Sequence, residues 1–170
     1  SIWKILMNKD APIDIEKLVL DKIDKGVVGS SLCLENRKLG DDGVFKLSNL
    51  EILSEVICLE LGENNISDEG VHTLCNSPYI ENLKTLNLKS NNITELGAKS
   101  LANSPKLKKL EHLILKFNRI GEMGASYLAQ SETLTNLSTL DLFRNRIGDT
   151  GTKIIKKSKI FRSVSRMRLD

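Results

Sequence analysis

Two histidines, three cysteines and an uneven crowd of lysines and arginines are the residues with which this 170-residue chain could do chemistry. His72 falls early in a helical pattern and His112 just before a strand leucine, so they do not form a pair, and no G-x-S-x-G, H-E-x-x-H or phosphate-cradling glycine loop accompanies either. Cys33, Cys58 and Cys75 are odd in number and lack C-x-x-C spacing, which argues against a disulfide framework and a zinc site. They read as reduced thiols of a cytoplasmic protein, in its own cell or in a host cell if the chain is a secreted effector. The expectation is a non-enzyme with no cofactor and no metal. What remains is recognition. Phe117 and Phe143 are two of only seven aromatic residues, and Ile114 belongs beside them. Lys89, Lys116, Arg119, Arg144 and Arg146 ring them, with Asp141 in the same row as Ile114. Apolar anchors inside a charged rim are the usual form of a protein-interface hot spot.

These candidates are placed by a repeat. The pattern L-x-L-x-x-N-x-I recurs every 27 residues, with leucines at Leu32/Leu34, Leu59/Leu61, Leu86/Leu88, Leu113/Leu115 and Leu140/Leu142. Asn64, Asn91, Asn118 and Asn145 keep the asparagine, and Arg37 replaces it in the first copy. The phase extends forward to Met167 and Leu169 and backward to a degenerate copy at Ile2, Ile5 and Met7, giving about seven strands joined by six helical segments. Leucines two apart share one face of a strand. A glycine in each unit (Gly43, Gly70, Gly97, Gly124, Gly151) is expected to open an amphipathic helix and to serve a turn. Each inward leucine is worth roughly 1.5–3 kcal/mol when buried, and one strand plus one helix cannot bury it alone, so units must stack. The asparagines are expected to turn inward and satisfy backbone groups of successive turns.

These motifs resemble the leucine-rich repeats of the ribonuclease-inhibitor-like subfamily, over nearly all of the chain from Ser30 to Asp170. The repeat is one or two residues shorter than is usual there, and Arg37 departs from the motif. The resemblance implies an α/β solenoid: a horseshoe with parallel strands on its concave face and α-helices on its convex face. It carries no catalytic activity onto this chain. The domain reading is a cap with the degenerate repeat over residues 1–29, then one continuous domain over 30–170 of about five full units plus a terminal strand. Within the cap, Asp10-Ala11-Pro12 is expected to start a helix whose apolar stripe is Ile15, Leu18, Val19, Leu20 and Ile23.

Composition narrows the partner. No apolar run approaches the roughly 20 residues that a membrane helix needs, and the opening residues show no secretory pattern, although Ser1 in place of Met suggests a processed or excised start. Sequons at Asn65, Asn92 and Asn136 are mainly by-products of the repeat. The net charge of +3 conceals a polarity. Residues 1–85 hold 9 Lys+Arg against 15 Asp+Glu, a net −6, and residues 86–170 hold 16 against 7, a net +9. A solenoid turns sequence order into spatial order, so one end should be acidic and the other basic. The expected function is binding of another protein through the concave face, by an acidic segment with an apolar anchor. The alternative is nucleic-acid or anionic-surface binding by the basic half, against which stands the scarcity of aromatic stacking platforms.

Overall fold

The computed structural model describes residues 12–23 and 29–170. The alternating leucines form six short parallel strands: β1 Ser30–Cys33, β2 Val56–Glu60, β3 Thr85–Asn87, β4 His112–Ile114, β5 Thr139–Asp141 and β6 Arg166–Arg168. They lie side by side in chain order as one open sheet. Leu59 pairs with Leu86, Leu86 with Leu113 and Leu113 with Leu140, so each repeat lands on its neighbour in the same register. The expected strand at Ile2, Ile5 and Met7 lies outside the described residues.

Helices α2 Gly40–Ser48, α3 Asp68–Cys75, α4 Glu95–Asn103, α5 Gly121–Ala129 and α6 Gly148–Lys157 form the second layer. Before them comes α1, Ile15–Lys22. Short 3-10 turns at Glu51–Glu55, Pro105–Leu107 and Lys159–Phe161 return the chain to the sheet. The result is an α/β solenoid with a single leucine-dominated core between the layers.

Two sequence expectations need correction. Among the described residues the first helix starts at Ile15, not at Pro12, because the Asp14 carboxylate caps it by accepting from the backbone N–H of Lys17 at 3.0 Å. Only Ile15, Val19 and Ile23 are buried; Leu18 is partly exposed and Leu20 faces solvent. The second concerns the glycines. Gly43, Gly70, Gly97, Gly124 and Gly151 lie inside their helices, not at turns. Their value is close approach: a Cβ on Gly97 would meet the Ile93 side chain at 2.5 Å and the Asp68 carboxylate at 2.7 Å. The turn glycines are Gly40, Gly121 and Gly148, at φ of +58°, +68° and +67°. These three open the helices that lack a side-chain N-cap, whereas α3 and α4 start behind Ser67 and Thr94, whose hydroxyls accept from the first turn.

The asparagines form the ladder that the spacing implies. Asn64 accepts from the N–H groups of Arg37 and Leu39 in the preceding unit and donates to the carbonyls of Leu34, Leu61 and Gly62. Asn91 does the same for Asn64, Ile66, Leu61 and Leu88. Arg37 therefore leaves no gap in the first turn, because the amide that fastens a turn comes from the following repeat. A second ladder runs at the helix ends, where the hydroxyls of Ser77, Ser104, Ser131 and Ser158 donate to carbonyls of the helix before. Its 27-residue spacing was present in the sequence and escaped the reading above.

Candidate functional site

The free face of the sheet carries three rows of side chains. One runs Cys33, Glu60, Asn87, Ile114, Asp141, Arg168, in register across all six strands. A second runs Ser31, Cys58, Thr85, His112, Thr139, Arg166. This row was missed, although the two-residue alternation puts it on the same face as the first. The third lies just past the strand ends: Glu35, Gly62, Lys89, Lys116, Phe143.

In the first half of this face Lys89 finds acidic partners. The Lys89 ammonium lies 2.6 Å from the Glu35 carboxylate, two repeats away, and 4.0 Å from that of Glu63. Gly62 makes the reach possible, since a Cβ there would meet Lys89 Cγ at 2.8 Å. The hydrogen bond from Lys89 holds the Glu35 carboxyl below its ordinary range, and the same bond raises Lys89. Lys89 thus points toward the acidic end rather than toward the phenylalanines.

The second half is built differently. Phe117 and Phe143 lie beyond the ends of β4 and β5, held together by a backbone hydrogen bond from Phe117 N–H to the Phe143 carbonyl at 2.9 Å. Their rings meet edge to face with centroids 5.9 Å apart, the arrangement that the ring quadrupoles favour. Phe143 is half-buried, with the Arg168 guanidinium 4.6 Å and the Arg144 guanidinium 5.4 Å from its centroid. Phe117 is 48% exposed. It also holds φ +59°, at the position where other repeats carry Asn36, Glu63, Ser90 and Arg144 in the same left-handed conformation. A bulky ring gains no local hydrogen bond there to offset the steric cost.

Asp141 lies beneath this pair. It is 7% exposed, accepts from the Phe143 N–H at 3.1 Å and stands 3.8 Å from Arg168. It positions the aromatic turn more than it faces solvent. Ile114 is its half-buried partner on β4. Arg119 and Arg146 are exposed, and Arg146 shares the left-handed backbone of its turn at φ +57°. Phe117, Asn118, Arg119, Phe143, Arg144, Arg146 and Asp170 line one open groove of about 640 Å³. Asp170 had no place among the expected site residues. Asp170 enters by standing in for the next ladder asparagine, its carboxylate accepting from Asn145 N–H at 3.0 Å and Ile147 N–H at 2.8 Å.

A second groove, of about 530 Å³, lies between α3 and α4 and brings together His72, Cys75, Lys99 and Ser100. It is a poor place for catalysis. Burial pushes the Cys75 thiol up to about 12, so no thiolate forms at neutral pH, and the His72 ring is in contact with the Asn76 amide at 3.1 Å. The three cysteines are free thiols. Among the described residues no cluster of three or more His, Cys, Asp or Glu could hold a metal ion, and no helix is long and apolar enough to cross a membrane.

A family model described as Leucine Rich repeat matches residues 56–75, 79–102, 106–129 and 133–153, together just over half of the chain. Each match spans one strand-turn-helix unit or most of one. No curated protein matches the chain. Repeats of this kind generally mediate protein–protein interaction and are typically non-enzymatic scaffolds. The 27-residue period, the asparagine ladder and the matched units agree, and the chain belongs to the leucine-rich-repeat family.

Proposed function

We propose that this chain is a protein-interaction module whose partner contributes an acidic segment with an apolar anchor to the C-terminal half of the concave face. One observation carries the reading: an exposed aromatic side chain packed on a second ring, in a groove shared with Arg119, Arg144 and Arg146, which form no ion pair among the described residues. Phe117 and Phe143 are the anchor contacts, Arg119, Arg144, Arg146 and Lys116 the rim, and Ile114 and Asp141 the floor. Lys89 belongs to the boundary with the acidic half. Full α-helices after each of β1 to β5 support the ribonuclease-inhibitor-like reading of the subfamily. Burial of Ile15 and Val19 in the common core supports residues 1–29 as a cap on one continuous domain. Free cysteines suit a reducing cytoplasm.

The test is capture from lysate by wild-type protein beside the Phe117→Ala/Phe143→Ala variant, at low and high salt, with thermal melts as a folding control. A partner retained by wild type and lost by a folded double variant is the expected result. Equal capture by both proteins refutes the site. The alternative, nucleic acid or an anionic surface at the basic end, has Lys153, Lys156, Lys157 and Lys159 on and after α6 in its favour. It predicts an electrophoretic shift that collapses with salt and ignores the phenylalanines.

A further inference from the structure

The arginine groove beside the phenylalanine pair carries more positive charge than one carboxylate can neutralise. Counting side chains, its charged lining is Arg119, Arg144, Arg146 and Asp170, three cations and one anion, a net +2. Asp170 does not swing across to the guanidiniums, because its two carboxylate oxygens are held by the N–H groups of Asn145 and Ile147. Asn118 is equally occupied, donating to the carbonyls of Leu88 and Leu115 and accepting from Ile93 N–H. The Arg168–Asp141 pair lies outside the lining. Nothing among the described residues forms an ion pair with Arg119, Arg144 or Arg146.

An aspartate or glutamate brings a single negative charge and leaves one of these cations uncompensated. A phosphate monoester brings about −1.5 to −2 at pH 7 and three strong acceptor oxygens, and guanidinium forks match that geometry in charge-assisted pairs. We infer that the groove is a phosphate subsite, and that the acidic element of the partner is a phosphorylated side chain, serine or threonine, next to the apolar residue that covers Phe117. This rests on the interaction reading above and specifies its ligand. A nucleic-acid backbone fits less well. Its diesters carry one charge each and need a long cationic track, whereas the arginines of this groove span two repeats and toward the acidic end the track stops at Lys89, already paired with Glu35.

Three fluorescein-labelled peptide pools distinguish the possibilities by anisotropy. Each has one fixed central residue, phosphoserine, glutamate or serine, flanked by randomised positions that include Leu and Phe. The phosphoserine pool is expected to bind about tenfold tighter than the glutamate pool, the effect of roughly 1.4 kcal/mol, with the serine pool weakest. Affinity for the phosphoserine pool should fall as pH drops from 7 to 5.5, through the second phosphate ionisation near about 6, with no matching change for glutamate. Arg119→Gln/Arg146→Gln should erase the preference for phosphate, and Phe117→Ala should weaken both acidic pools. Equal binding of the phosphoserine and glutamate pools overturns the phosphate subsite and leaves the acidic-segment reading standing. No binding of either acidic pool overturns both. A labelled single-stranded oligonucleotide, or vesicles containing phosphoinositide, binding tighter than the phosphoserine pool also overturns the inference.

Discussion

Around β1 to β3 the concave face pairs Lys89 with carboxylates of neighbouring repeats, and around β4 to β6 Arg119, Arg144 and Arg146 have no such partner among the described residues. The same structural slot holds Glu35, Gly62 and Lys89 in the first region and Lys116 and Phe143 in the second. A glycine between the two charged residues lets Lys89 lie flat and reach Glu35. In the second region the slot after Lys116 is filled by a ring, and Arg144 and Arg168 settle over that ring. Charge density alone therefore does not mark a binding surface. Whether the neighbouring repeat supplies a counter-charge within reach decides it.

The largest expected effect comes from removing what both regions share. Asn118→Ala deletes two donated bonds and one accepted bond at a buried position between them. Each orphaned backbone group costs about 1–3 kcal/mol, so the loss should exceed about 3 kcal/mol in urea denaturation. Hydrogen exchange should quicken in β2 and β5 alike; quickening confined to one would show that the two regions are independently stable.

A smaller effect sharpens the contrast. Gly62→Ala should displace Lys89 from Glu35 and make the first region resemble the second, at a cost of about 0.5–1 kcal/mol for so partly exposed a pair. Glu35 is held below the ordinary carboxylate value of 4.5, so the pair stabilises the fold above that value and ceases to as pH falls through the lowered one. The difference in stability between wild type and Gly62→Ala should be full at pH 7 and close as acid protonates Glu35. A gap independent of pH would trace it to backbone packing instead.

The smallest change in stability should accompany a large change in binding. Phe117→Asn removes an edge-to-face contact worth about 0.5–1.5 kcal/mol and relieves a left-handed conformation costing a bulky residue roughly 1–2 kcal/mol. The two nearly cancel, so the melting temperature should move little while partner capture is lost. A clear destabilisation would mean that Phe117 serves the fold.

Much of this was legible before any coordinates. A fixed period and a two-residue alternation dictate which leucines are buried and which strands are neighbours, so the sheet, the asparagine ladder and the adjacency of Phe117 and Phe143 follow from spacing. Other features depend on geometry that spacing does not encode. The sign of φ at Phe117 is invisible in the letter F, and a reading by slots placed it beside Ile114 on a strand when it sits in the turn beyond. The reach of Lys89 depends on a missing side chain in the repeat between. Asp141 reads as surface charge by its slot, and its burial beneath the aromatic turn comes from the bond to Phe143 N–H and the cover of Arg168. Glycines recurring in phase suggested turns, but a period reports that a small residue is required and not whether torsion or crowding requires it.

The ladder has a direction. Every asparagine reaches back: its oxygen receives N–H groups of the unit before, and its nitrogen serves carbonyls of that unit and its own. The helix starts are tied the other way, with Ser67 and Thr94 N–H donating to the Asp41 and Asp68 carboxylates one unit earlier. Along the asparagine ladder, deleting a unit from the front removes recipients, while deleting one from the back leaves amides such as those of Asn145 and Ile147 without their acceptor. Asp170 does this work two positions ahead of the register, with a carboxylate in place of an amide. For anyone recombining such arrays, the rule is that each unit must be followed by a side chain able to accept at this position, amide or carboxylate.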